Sequence, residues 1–209
     1  MHSATAKKYT YLALGDSYTI GEMVASPDNF PAQVYSMLKD QGADIREPRV
    51  IAKTGWTIDE LETGIIAANN TSPLDPSYDF VSLLIGVNNQ YRGHTVENYK
   101  LQFEELLLKA IRFTGNNTGH VVVVSIPDWG VTPFANGRDR AQIAAEIDAY
   151  NAANKQIALQ YNVHYIDITP WTREAATDHS LLANDGLHPS GKEYRRWAER
   201  IALFFKSTI

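Results

Sequence analysis

The sequence contains no cysteine in 209 residues. That absence removes disulfides, thiolate nucleophiles and cysteine–zinc sites together, and leaves the compartment open. No apolar run approaches the ~20 residues of a membrane-spanning helix. Met1 to Thr10 is polar and has no signal-peptide core. The chain as it stands is therefore expected in the cytoplasm, or outside it if a leader has been removed. No long basic run occurs, and 19 basic against 24 acidic residues give a net charge of −5. Arg195, Arg196 and Arg200 form the strongest basic cluster and read as the solvated face of a helix, so a nucleic-acid partner is not expected. Internal repeats, low-complexity tracts and linkers are also missing. Residues 1–209 are accordingly expected to form one domain, and at this size a folded chain buries roughly 70% of the surface it exposes unfolded. A content of 44% hydrophobic and 21% charged residues is that of a globular chain.

What is present alternates from end to end. Short apolar runs predict strands at Tyr9–Leu14 (YTYLAL), Arg49–Ala52, Phe80–Ile85, Val121–Ile126 (VVVVSI) and Val163–Ile168. Amphipathic spacing predicts helices at Asn29–Asp40, Thr57–Asn69, Val96–Thr114, Arg138–Tyr161 and Ser190–Lys206. Thr57-Ile58-Asp59-Glu60 has the form of a capping box. VVVVSI lacks polar alternation and is expected as a central strand covered on both faces. The fold class is α/β: a three-layer α/β/α sandwich around a five-stranded parallel sheet. Ligands in such sheets bind beyond the carboxyl ends of the strands, so functional residues are expected just after strands one, two, three and five.

Four segments meet that expectation. Gly15-Asp16-Ser17 follows strand one, and the glycine permits a tight turn. Gly55 follows strand two and can present a bare backbone N–H to a ligand. Gly86-Val87-Asn88-Asn89 follows strand three, where Asn88 can aim an amide N–H at a developing oxyanion. Asp185-Gly186-Leu187-His188-Pro189 precedes the last helix. Three residues of separation across a glycine let one loop supply both a histidine and the carboxylate that fixes its tautomer. Pro189 is expected in the first helical turn, setting His188 at the helix entrance. Taken singly, each segment is equally ordinary: a serine cap, a loop glycine, a turn asparagine, a capping loop with an exposed histidine.

Taken together and in order, the segments resemble the SGNH/GDSL hydrolase family. Its four blocks are Gly-Asp-Ser-Leu, a glycine, Gly-x-Asn-Asp and Asp-x-x-His. Here they read Gly15-Asp16-Ser17-Tyr18, Gly55, Gly86-Val87-Asn88-Asn89 and Asp185-Gly186-Leu187-His188. The resemblance spans almost the whole chain. Tyr18 and Asn89 depart from the family's leucine and aspartate. The resemblance implies a flavodoxin-like sandwich and a serine esterase or acyl hydrolase that needs no cofactor and no metal. In it Ser17 attacks the acyl carbon, His188 transfers the proton and Asp185 orients His188. The N–H groups of Ser17 and Gly55, with the Asn88 side chain, bind the oxyanion.

Other signals weigh less. Gly186 to Glu193 mimics a phosphate-binding loop but has glutamate where Ser or Thr must bind magnesium. The G-x-S-x-G elbow and the G-x-G-x-x-G dinucleotide pattern do not occur. His2, His94, His120, His164 and His179 show no metal-ligand spacing and read as surface or packing residues. Trp129 and Phe134, after strand four, are expected to border the site, either as an acyl- or sugar-binding wall or as packing beneath the loop; Trp171 is a further aromatic of interest. The expected partner is a small-molecule ester, with small or carbohydrate O-acyl esters foremost. The alternatives are a lysophospholipase or thioesterase of the same family, and a non-catalytic glycan- or acyl-binding module on the same fold.

Overall fold

Valine and leucine runs become strands here because both faces are covered. Every residue of β1 (Tyr11–Asp16), β3 (Phe80–Leu84) and β4 (Val121–Val124) is buried. With β2 (Arg49–Lys53) and β5 (His164–Ile166) they form a parallel sheet in the order β2-β1-β3-β4-β5. The computed structural model describes residues 7–209. His2 and the start of the polar N-terminal stretch lie outside the described residues.

The helices cover the sheet on two sides. On one, α2 (Phe30–Asp40) packs against α8 (Gly191–Lys206), which follows the one-turn α7 (Thr169–Thr172). Phe205 of α8 stacks on Phe80 at 4.5 Å and meets Tyr11 edge-on at 5.3 Å, which ties this layer to the sheet. On the other side α5 (Val96–Arg112) lies between α3 (Ile58–Thr71) and α6 (Arg140–Gln160). Tyr99 of α5 sits 4.3 Å from Tyr150 of α6 and donates its hydroxyl proton to the Ile85 carbonyl. This is the α/β/α sandwich expected from the sequence. Among the described residues no helix is long and apolar enough to cross a membrane.

Local chemistry sets the boundaries. Asn29 caps α2 by accepting from the Ala32 N–H, so the helix begins at Phe30. Thr57 caps α3, and Glu60 reaches back to the Thr57 N–H at 2.9 Å, the reciprocal half of the expected capping box. Asp139 caps α6 through the Gln142 N–H, which starts that helix two residues later than its sequence pattern suggests. Tyr9 lies outside β1 and makes only an isolated bridge with Ile45. VVVV is interior, but β3 occupies the middle of the sheet. The expectation for Pro189 is overturned: Pro189 precedes the Ser190 cap and bridges Leu182. With no N–H of its own, proline suits the end of such a short bridge, and α8 starts only at Gly191.

The chain runs from β1 outward to β2, then returns to the other side of β1 as β3. The strand order thus reverses at the carboxyl ends of β1 and β3, the usual location of a binding crevice in open α/β sheets.

Candidate active site

Asp16 ends β1 and its carboxylate accepts the Tyr18 N–H at 3.0 Å. This cap starts the short helix α1 (Ser17–Ile20), with Ser17 as its first residue. A first-turn N–H has no acceptor within its own helix, so the Ser17 N–H points out of the chain's helical bonding. Gly15 is required by space: a Cβ there collides with the Thr19 side chain and the Leu84 carbonyl. β1 and β3 therefore approach closely just before the serine.

The second group comes from far along the chain. Leu182 bridges Pro189 and the Ala183 N–H donates to the His188 carbonyl at 2.8 Å, which closes the intervening loop. Inside it, Asp185 Oδ1 accepts the backbone N–H groups of Leu187 and His188, both at 3.0 Å. Its Oδ2 lies 2.6 Å from His188 Nδ1, and His188 Nε2 lies 3.0 Å from Ser17 Oγ. Partial burial pushes the Asp185 carboxyl up, but the hydrogen bonds from His188 and the two N–H groups outweigh it and hold the carboxyl below its ordinary 3.8. The Tyr18 ring packs 5.0 Å from the imidazole, so the family's leucine position is filled by an aromatic that braces the histidine.

The remaining predicted residues converge on the same place. Ser17, Gly55, Asn88 and His188 line one cavity of about 170 Å³, with Tyr18, Val87, Leu187 and an aromatic wall of Tyr91, Trp129 and Phe134. Gly55 has φ +83°, a left-handed conformation that favours glycine. Its N–H donates to no protein acceptor among the described residues. Asn88 sits on α4 (Val87–Tyr91) and donates to the Trp56 carbonyl at 3.0 Å and to Asp16 Oδ2 at 3.3 Å. Trp129 and Phe134 border the cavity as expected, and Trp129 donates its indole N–H to Gln90 at 2.8 Å. Trp171 does not reach the site; it lies under the guanidinium groups of Arg196 and Arg200. Arg196 also pairs with Glu174 and Glu193, and Arg195 with Glu199, so the basic cluster is largely neutralised on its own surface. Glu193, the residue that spoils the phosphate-loop match, is buried and accepts the Trp197 indole N–H.

Two residues near the site were assigned no role from sequence. Asp16 is fully buried, and burial pushes its carboxyl up to about 7 against the hydrogen bonds from Tyr18 and Asn88. Its position inside Gly15-Asp16-Ser17 was the only sequence signal. Asn89 is likewise buried, accepting the Ile58 N–H at 3.2 Å and approaching His94. It thus joins α4 to the start of α3.

Among known proteins the three-layer fold defines a class of architecture first: open parallel α/β sandwiches with a crevice at the sheet's carboxyl edge. The model of the GDSL-like lipase/acylhydrolase family matches residues 13–196, and the chain belongs to that family. It is accordingly a hydrolase acting on ester bonds. Solved structures with the same fold include TesA, at 18% identity and a TM-score of 0.72 over 96% of this chain and 99% of that one. The psychrotrophic esterase EstA from a Pseudoalteromonas species, inhibited by monoethylphosphonate, shares 17% identity, a TM-score of 0.69, and 95% and 97% coverage. Axe2, an acetylxylan esterase from Geobacillus stearothermophilus, shares 19% identity and a TM-score of 0.70 over 98% and 96%. No curated protein sequence gives a significant match.

Proposed function

We propose that the chain works as one domain and hydrolyses carboxylic esters through Ser17, His188 and Asp185. The single observation that carries this is the continuous row Asp185 Oδ2, His188 Nδ1, His188 Nε2, Ser17 Oγ, with separations of 2.6 and 3.0 Å, at the mouth of a cavity. His188 takes the hydroxyl proton as Ser17 Oγ attacks the acyl carbon, and Asp185 stabilises the imidazolium that forms. The Ser17 and Gly55 N–H groups and the Asn88 amide receive the negative charge on the former carbonyl oxygen. Collapse expels the alcohol, which takes the proton from His188. Water then repeats the sequence on the acyl-enzyme, releasing the acid and restoring Ser17.

Cavity size favours a small acyl group. About 170 Å³ is close to the roughly 150 Å³ cavity that holds one benzene molecule. The alcohol side is proposed to be an O-acylated carbohydrate. Tyr91 and Phe134 are each about half exposed at the rim, and flat rings in that setting suit the apolar face of a sugar. Axe2, of the same fold, is an acetylxylan esterase.

The test is a p-nitrophenyl ester series, from acetate to long-chain, with wild type and Ser17→Ala. Expected are activity highest on short esters and its loss in the variant. Near-normal turnover by Ser17→Ala would refute the mechanism. A fluorophosphonate that fails to label Ser17 in folded protein would point instead to a binding module.

A further inference from the structure

The loop that carries Gly55 is not self-supporting. Between the end of β2 at Lys53 and the start of α3 at Ile58, its internal backbone bonding is one N–H, from Trp56 to the Lys53 carbonyl at 3.2 Å. A left-handed glycine in such a turn can pivot, and a pivot redirects its N–H. The Thr54 hydroxyl bonds Glu22 and the Trp56 ring packs on Gly64, but the backbone around Gly55 is held by α4. Three successive points on the loop are bound by residues of this short helix and its cap. Arg92 Nη2 donates to the Gly55 carbonyl at 2.6 Å, Asn88 Nδ2 donates to the Trp56 carbonyl at 3.0 Å, and Asn89 Oδ1 accepts the Ile58 N–H at 3.2 Å.

These three contacts are not equivalent. Asn88 already divides its amide between Trp56 and Asp16, and a bound oxyanion adds a third claim on two N–H groups. One of these contacts then yields, so Asn88 does not hold the loop, Asp16 and the oxyanion at once. Arg92 has no such conflict. Its guanidinium is permanently charged and its other arm is anchored: Nη1 lies 3.2 Å from Glu60, whose carboxylate also takes the Thr57 N–H. Within Glu60, the Thr57 N–H outweighs the burial that opposes it and, with Arg92, holds the carboxyl below its ordinary value, so the anchor stays ionised. Arg92 is also held at its root, because its own N–H donates to the Asn88 carbonyl at 3.0 Å. One residue thus links the Gly55 loop to the helix turn that bears Asn88.

We infer that Arg92 is a positioning residue of the ester-hydrolysing site, which holds the Gly55 N–H in register with Asn88 while the oxyanion forms. This rests on the reading of Gly55 and Asn88 as oxyanion donors. The plain alternative is a half-exposed surface ion pair, of little consequence for stability and without effect on turnover.

The two separate in kinetics of Arg92→Ala, Arg92→Gln and Arg92→Lys. Since loss of a whole oxyanion donor costs about 10²–10³ in turnover, a displaced one is expected to cost Arg92→Ala roughly 10-fold in kcat on p-nitrophenyl acetate, with KM within about twofold. Fluorophosphonate labelling of Ser17 should slow in parallel, because the phosphoryl oxygen occupies the same donors. Free guanidinium at millimolar concentration should restore part of kcat in Arg92→Ala and none in wild type. Arg92→Lys should lie between Arg92→Ala and wild type. Urea midpoints should match wild type, since the side chain is half exposed. Unchanged kcat and labelling rate in Arg92→Ala would overturn the inference while leaving the ester-hydrolase reading intact. Full turnover in Ser17→Ala, by contrast, would overturn that reading and this inference with it.

Discussion

Asp16 makes stability depend on pH in a direction opposite to that of an ordinary surface carboxylate. Its carboxyl is buried beneath Ser17 and is pushed from 3.8 up to about 7, chiefly by burial. The folded state therefore binds this proton more tightly than the unfolded chain, so stability is complete below 3.8 and falls as pH rises through about 7. A tenfold change in a proton equilibrium is about 1.4 kcal/mol, so the full penalty for the ionised fold is about 4 kcal/mol. Asp16→Asn keeps the shape and removes the charge. Its amide N–H group then faces the Asn88 amide, a donor against a donor, which costs about 1–3 kcal/mol. That cost is the same at every pH, whereas the charge penalty is not. In urea denaturation from about pH 4.5 to 8.5, wild type should lose about 3 kcal/mol relative to Asp16→Asn, with equal slopes against denaturant. Comparing the two proteins cancels every other titrating group. If their stabilities run parallel across that range, the burial argument for Asp16 is wrong.

Asn88→Ala should lower kcat on short esters by about 10²–10³, as for loss of one oxyanion donor. Asp185→Asn leaves His188 in the wrong tautomer and should cost on the order of 10⁴ in kcat; steady-state kinetics reads both. Removing a ring from the proposed sugar-facing rim by Phe134→Ala should raise KM for an acetylated oligosaccharide severalfold and leave kcat/KM on p-nitrophenyl acetate within about twofold. An unchanged KM for the sugar ester would remove Phe134 from the alcohol side. Far from the site, Phe205→Ala opens the contact with Phe80 and Tyr11 and should cost about 3–5 kcal/mol in chemical denaturation, leaving KM unchanged.

Patterns that depend on near neighbours were legible in the sequence. Apolar runs without alternation marked the interior strands, and Thr57 with Glu60 marked a helix start, because both signals are local. The Asp185–His188 pair was legible for the same reason, three residues apart in one loop. Positions set by packing were not. Pro189 looked like a helix opener and is a bridge partner, since the loop's closure onto Leu182 comes from outside the motif. Asp16 carries no role readable from its neighbours; only the surrounding layers make it a buried carboxyl. Arg92 carried no motif at all, and its meaning comes from a carbonyl 37 residues away.

The sequence by itself determined the five strands and the five long helices, and that serine, glycine, asparagine and histidine follow strand ends in family order. Only the tertiary structure decided that Ser17 and His188, 171 residues apart, stand within hydrogen-bonding distance. It also decided that Asp16 meets Asn88, and that α4 pins the Gly55 loop. The reason is physical: periodicity and capping act over a few residues. The meeting of distant groups depends on strand order, here the reversal between β1 and β3, which many sequences with the same local patterns can share.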